Sequence, residues 1–362
     1  DNKTDKLIGK IELQYELLDN LKITSRLGYS SIWQQSKGFS PLQFYGVGHN
    51  RTNANADLTA RTEDDHNRVS ETKNNWFNYT YELFGNYDFS IDNEHNFNVF
   101  AGFTIGKSTY NNLSGSNVDI PFNSWTYADL SSASGGISEQ TTSSAQSVSR
   151  SVSLMGRVEY DFNEKYLASL TVRRDGSTSF GKNNKFAIFP SASVGWVASN
   201  EDFFNSSFVD FLKVRASFGT VGNDNASPQF GTISTFPKYT FDGKIVNGST
   251  LLGIPNNDVS WENQIQTNVG LDLRMFDSKL SLTADYFIKT VDDLLFSPTL
   301  SLYLGIPQYP VANIGKTETK GYEISLSYGA EIAKNKNGGS IVNISSDLGL
   351  IAPDQRGFGQ SW

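Results

Sequence analysis

Residues 151–174 read SVSLMGRVEYDFNEKYLASLTVRR. Val152, Leu154, Val158, Tyr160 and Phe162 are apolar, and Ser151, Ser153, Arg157, Glu159 and Asp161 fall between them, a period of two that belongs to a β-strand. Asn163-Glu164 then turns the chain into Tyr166, Ala168, Leu170 and Val172, which alternate with Ser169, Thr171 and Arg173. Two such runs joined by two residues read as a hairpin. Leu212, Val214, Ala216 and Phe218 repeat the pattern against Lys213, Arg215, Ser217 and Gly219, so the face opposite the apolar one is polar and charged.

The same alternation extends in both directions. Upstream, Leu7, Ile11, Leu13, Tyr15 and Leu17 turn through Asp19-Asn20 into Leu21, Ile23, Leu27 and Tyr29. Phe77, Tyr79, Tyr81, Leu83, Tyr87 and Phe89 then turn through Ile91 to Glu94 into Phe97, Val99, Ala101, Phe103 and Ile105. Downstream, Val269, Leu271 and Leu273 lead through Asp277-Ser278 to Leu280, Leu282, Ala284 and Tyr286, followed by Tyr322, Ile324, Leu326 and Tyr328 and by a strand holding Ile344 and Leu348. The sum is about twelve strands in six hairpins. Connections at one end are short, whereas those at about 35–72, 110–149, 220–263 and 290–319 are long and rich in Gly, Asn, Ser and Pro. Outer-membrane barrels show this asymmetry, with short periplasmic turns and long extracellular loops. The expected fold is all-β, an antiparallel transmembrane β-barrel, with residues 1–362 as part of a single barrel domain.

Composition agrees with that class and excludes others. The chain has 362 residues, a net charge of -8, no Cys and three His. Disulfide and thiolate-metal architectures are therefore out, and the acidic balance argues against a nucleic-acid partner. A mean hydropathy of -0.39 does not argue against a membrane, because a barrel hides its lipid face in alternate residues. Aromatic residues at 13 % and 31 Gly suit girdles and turns. No signal sequence opens the chain at Asp1-Asn2-Lys3, which predicts either a processed protein or an internal piece.

Catalytic chemistry finds no foothold. Nucleophile elbow, P-loop, His-Glu-x-x-His and paired-Cys motifs are all missing, so no enzyme and no cofactor is expected. Glu201-Asp202 and Asp292-Asp293 read as solvated charge near strand ends. Asn223-Asp224-Asn225 and Asn256-Asn257-Asp258 offer hard oxygens to a loop calcium ion, in a spacing that fits no defined calcium loop.

The motifs around the central strands also resemble a known family. Arg173-Arg174-Asp175-Gly176-Ser177 followed by Phe180-Gly181, then Phe189-Pro190-Ser191-Ala192-Ser193-Val194-Gly195-Trp196, then Leu212-Lys213-Val214-Arg215-Ala216-Ser217-Phe218-Gly219 with Gly222-Asn223, are similar to the SusC/RagA-like TonB-dependent transporters of the Bacteroidota outer membrane. Ser260-Trp261-Glu262, Asn268-Val269-Gly270-Leu271-Asp272, Asp285-Tyr286-Phe287, Asn313-Ile314-Gly315 and Lys320-Gly321-Tyr322-Glu323 continue the likeness in the family's order. It covers residues 151–328 best. Thr319 and Phe186 depart from the family's usual Asn and Trp or Tyr.

This resemblance implies a 22-strand barrel of which the chain holds about 12 strands, with the plug domain not in this chain. It implies import of a bulky glycan, oligosaccharide or peptide, with a SusD-like surface lipoprotein as lid, TonB contacted through an upstream region, and outer-membrane lipid and lipopolysaccharide around the barrel. A structural subunit of a larger outer-membrane assembly and a complete 12-strand porin-like barrel remain as alternatives.

Two sets of residues are candidates for function. Trp125, Tyr127, Phe236, Tyr239, Phe241, Tyr303 and Tyr309 lie in long loops, where an aromatic face can stack on a sugar or pack on a peptide side chain, or instead close the loop on itself. Arg157, Glu159, Arg173, Lys213, Arg215, Asp272, Arg274 and Glu323 must face the lumen, since Arg or Lys at the bilayer midplane costs about 2 to 4 kcal/mol. In the resembled family that face holds the plug.

Overall fold

The computed structural model describes residues 1–42, 66–225, 233–235, 238–248, 250–253, 256–298, 303, 311–331 and 341–350. Within them the chain forms one large antiparallel sheet and three small two-stranded ones. The large sheet runs in chain order through β1 (Asn2–Leu18), β2 (Leu21–Ser40), β3 (Arg68–Ile91), β4 (His95–Val118), β5 (Thr141–Phe162), β6 (Tyr166–Ser177), β7 (Phe186–Val197) and β8 (Val209–Asn223). It continues through β13 (Glu262–Met275), β14 (Leu280–Asp292), β17 (Thr317–Glu331) and β18 (Ile341–Leu350). The small sheets pair β9 (Ile233–Thr235) with β12 (Thr250–Gly253), β10 (Lys238–Phe241) with β11 (Lys244–Asn247), and β15 (Leu295–Phe296) with β16 (Ala312–Asn313). The twelve expected strands are thus present, in an up-and-down meander.

Tight turns set the register of this meander. Asn163 and Glu164 have φ of 49° and 54°, Asp92 and Asn93 of 55° and 54°, and Asp277 and Ser278 of 56° and 60°. In the first two, positive φ at both central residues is the two-residue hairpin turn whose twist matches the flanking strands; in the third, Phe276 also has a positive φ, of 59°. Lys165 N–H closes the first of these turns on Phe162 O at 2.8 Å. From there Val158 meets Leu170, and Glu159 meets Ser169, so apolar and polar rows stay on their own faces across the sheet.

The strands extend further than their apolar alternation does. β4 reaches Val118 and β5 begins at Thr141, so ladder hydrogen bonds occupy both ends of the stretch 110–149 and leave 119–140 between them. Thr141 to Arg150 is exposed on both faces and polar but for Ala145 and Val148, as a strand standing in water above the membrane can be.

The chain divides into two compact units. Unit 1 comprises Asp1–Glu12, Arg26–Tyr81 and Ile105–Arg150. Its core lies under the 119–140 connection, where Val69, Ile120 and Ala128 are buried with Phe39 and Leu130 against them. Asn67 fixes that connection, donating to Ile120 O and accepting from Ile120 N–H.

Unit 2 comprises Leu13–Ser25, Glu82–Thr104 and Ser151–Trp362. Here the sheet is inverted relative to a soluble protein. Leu154, Leu170 and Ile188 are exposed by 60, 55 and 63 %, and Val194, Phe218, Val269 and Ile324 share that outward face. Near the tight turns the outward face becomes aromatic. Phe89 stacks on Phe97 at 4.8 Å, Phe97 meets Tyr160 at 5.0 Å, and His95 bridges Tyr160 and Phe162. Tyr166 continues the row beside Phe162 and pairs in register with Trp196. A row of rings along one end of an exposed apolar band is the interfacial girdle of a membrane barrel.

Candidate functional site

The inward face of unit 2 is built by the residues that alternate with the apolar ones. Asp88, Asn98, Glu159, Ser169, Ser193, Lys213, Arg215 and Asn268 lie on it. Arg215 on β8 is its central charge. The guanidinium donates from Nε to Asp272 Oδ2 at 3.1 Å and from Nη2 to Asp285 Oδ2 at 2.7 Å, reaching past β13 to β14. Gly270 makes this possible, because a Cβ there would lie 2.5 Å from Asp285 Oδ1 and 2.6 Å from Arg215 Cζ.

The other lumen candidates fall where the alternation puts them. Arg157 pairs with Glu159 at 3.4 Å and lies over the Phe100 ring, but its buried Nε makes no hydrogen bond. Arg173 holds Asp175 at 2.7 Å and Ser153 at 3.2 Å. Arg274 lies over Phe211 at 4.9 Å. Lys213 and Glu323 have no salt bridge among the described residues; Glu323 pairs in register with Asp285. Asn98 Oδ1 is also buried without a partner among the described residues while its amide donates to Asp88. This wall is polar and partly unsatisfied.

Loop aromatics divide between the units. In unit 1, Trp125 and Tyr127 form a short 3-10 turn, with Trp125 edge-on to Phe39 at 6.5 Å and Tyr127 against Phe122 at 4.7 Å. Each keeps about half its surface exposed. In unit 2, Tyr239 and Phe241 sit on the β10–β11 hairpin opposite Val246 and Lys244, and Phe241 is 75 % exposed. Tyr303 is fully exposed. Phe236 and Tyr309 lie outside the described residues.

Sequence reading missed one cluster. Phe180, Phe189, Val259 and Trp261 are buried together, with Trp261 5.0 Å from Phe180 and 5.6 Å from Phe189. Phe180 and Trp261, 81 residues apart, therefore lock the base of the long β8–β13 connection. The only signal was that each was an aromatic within a motif. Asn223 and Asn256 accept from the N–H of Asn225 and Asp258, so these side-chain oxygens are used in turns. Among the described residues no group of three or more His, Asp and Glu is placed to hold a metal.

Comparison with known proteins gives this geometry its context. The family model described as "TonB dependent receptor-like, beta-barrel" matches residues 1–352. The chain belongs to that family. TonB-dependent receptor P3 of Formosa agariphila is 33 % identical over 338 residues, covering 90 % of this chain and 31 % of the relative. TonB-dependent receptor SusC of Bacteroides thetaiotaomicron is 24 % identical over 333 residues, with 90 % and 31 % covered. In a solved structure of the RagAB peptide transporter the match has a TM-score of 0.77 at 21 % identity, covering 97 % of this chain and 37 % of that one. The chain spans about a third of the length of the relatives it matches. The resemblance to SusC and RagA read from residues 151–328 is thus borne out, as is the antiparallel membrane-barrel fold, and the protein's place is the outer membrane of a Gram-negative bacterium.

Proposed function

We propose that this chain is the barrel portion of a TonB-dependent importer that carries a bulky polar nutrient, an oligosaccharide or a peptide, across the outer membrane. The observation that carries the reading is the wall around Arg215: an inward polar face with ion pairs and buried polar atoms that make no hydrogen bond, on a sheet whose other face is apolar. Such a wall suits a removable polar occupant. A plug domain held there is the occupant in this proposal, contacted first by Lys213, Glu323 and Arg157. The exposed rings of Tyr239, Phe241, Trp125 and Tyr303 are proposed contacts for the nutrient or for a SusD-like lipoprotein lid. The names of its relatives, receptors and a peptide transporter, support a transporter rather than an enzyme.

The test is uptake by cells carrying the whole receptor, of labelled oligosaccharides and labelled peptides in parallel, with and without TonB. Uptake of one class that disappears on deletion of either the receptor or TonB is expected. Uptake unaffected by both deletions for every substrate would overturn the proposal.

A further inference from the structure

The lipid-facing row that contains Leu170 and Val172 continues to a charge, Arg174. In register it stands between Leu154 on β5 and Ile188 on β7, both strongly exposed apolar residues, so it is on the outward face and not in the lumen. No described carboxylate pairs with it. Its guanidinium instead lies over the Phe186 ring at 4.3 Å. Phe186 reaches that position because it is paired with Gly176, where a Cβ would fall 2.4 Å from the ring. Arg173-Arg174-Asp175-Gly176 thus splits its two arginines, Arg173 to the lumen pair with Asp175 and Arg174 to the outside.

Depth follows from the strand. Tyr166, in the girdle, and Arg174 are eight residues apart on β6, which at about 3.3 Å per residue and a tilt of about 40° is about 20 Å. The apolar band of an outer-membrane barrel is about 25 Å tall. Arg174 therefore lies at the opposite boundary from the girdle, on the side of the long loops. An arginine is costly at the midplane and nearly free of penalty at this level. The connection from Thr178 to Lys185 adds Lys182 and Lys185 and no acid.

We propose that Arg174, stacked on Phe186, binds the phosphate headgroup of an outer-leaflet lipid. A ring against one face of the guanidinium leaves its N–H edges open, and two of those edges match two phosphate oxygens. Leu154 and Ile188 flank it, and Val172 and Leu170 lie below it, for the acyl chains. The proposal rests on the outer-membrane placement of the barrel and is independent of which nutrient is carried.

The experiment uses the full receptor in phosphatidylcholine nanodiscs titrated with bisphosphorylated lipid A, with dephosphorylated lipid A and with inorganic phosphate, reading bound lipid by native mass spectrometry. Wild type is expected to retain bisphosphorylated lipid A at least fivefold more than the dephosphorylated form, and R174Q to lose that preference. R174K should keep at least half of it, F186L should fall between, and millimolar inorganic phosphate should not compete. Equal retention of the two lipids by wild type, or an undiminished preference in R174Q, overturns the proposal, and competition by inorganic phosphate overturns the lipid as its ligand. Should R174Q fail the heat-modifiable mobility check for assembly, the wild-type lipid comparison and F186L decide alone, an unchanged preference in F186L counting against the stacked arginine.

Discussion

Arg215 and Asp285 are 2.7 Å apart although a whole strand separates them, and the residue between them in the ladder is Gly270. Arg215 thereby ties three strands at one level of the inner wall, with Asp272 as its second partner. Gly270→Ala places a methyl where the ion pair passes, and the pair must break or the strands shift. We expect a loss of about 1 to 3 kcal/mol, the range for overpacking or for leaving a buried polar group unpaired. Unfolding of the purified receptor in denaturant reads this directly. Gly270→Ala with wild-type stability would show that the pair adapts at no cost.

Depth gives a graded prediction on the other face. Leu170 lies midway between the girdle and the Arg174 level, whereas Leu154 is level with Arg174. Leu170→Arg should cost about 2 to 4 kcal/mol and Leu154→Arg about 0 to 1, while Ser169→Arg, one residue away and inward, should be tolerated. Barrel assembly, followed as heat-modifiable gel mobility, should therefore fall only for Leu170→Arg. Equal behaviour of Leu170→Arg and Ser169→Arg would reverse the face assignment.

Alternation made the hairpins legible because lipid and lumen impose opposite demands on successive residues. Asn163-Glu164 and Asp277-Ser278 were readable as turns for a similar reason, being short polar pairs between apolar runs. What could not be read is whatever two distant segments decide together. Arg215 and Asp285 are 70 residues apart, and Phe180 and Trp261 are 81 apart. Strand ends above the membrane were invisible because ladder pairing in water asks nothing of side-chain polarity, as Thr141 to Arg150 shows. The parity of Leu170 and Val172 puts Arg174 on the apolar face, but that its neighbours there are Leu154 and Ile188 is set by register.

The turn beside the girdle carries a charge clamp with a pH window. Glu201, 12 % exposed at its side chain, accepts from Tyr166 Oη at 2.6 Å and from Trp196 Nε1 at 3.1 Å, and pairs with Lys165 at 3.3 Å. The Tyr166 hydroxyl, then the Trp196 N–H and Lys165, hold the Glu201 carboxyl below its ordinary value of 4.5. Glu201, with help from Asp202, holds the Lys165 ammonium above its ordinary value of 10.5. A lowered acid stabilises fully above its unfolded pKa and stops doing so as pH falls through the folded one. A raised base does so fully below its unfolded pKa and loses the effect as pH rises through the folded one. The clamp should accordingly be complete between about pH 4.5 and 10.5 and weaken outside that range. Glu201→Gln should lower stability inside the window and flatten its acid limb, as followed by melting temperature against pH; an unaltered acid limb would remove Glu201 from the pH response.

Loop aromatics should act on transport without touching assembly. Tyr239 and Phe241 stand on a separate two-stranded hairpin turned by Asp242-Gly243, with φ of 49° and 68°. Neither belongs to the buried clusters that hold the loops. Truncating an exposed ring there removes no core, so the double substitution Tyr239→Ala and Phe241→Ala should leave barrel stability within about 0.5 kcal/mol. Losing two stacking faces should weaken nutrient capture by about tenfold, since each aromatic contact is worth about 0.5 to 1.5 kcal/mol beyond area burial. Trp125→Ala is a harder case, because its ring also packs on Phe39 and should show a stability loss alongside any binding loss. Binding of the transported nutrient to whole cells, measured beside the melting temperature of the same variants, separates the two effects. If the hairpin variant binds as wild type does, the hairpin rings are loop packing and the capture surface lies elsewhere.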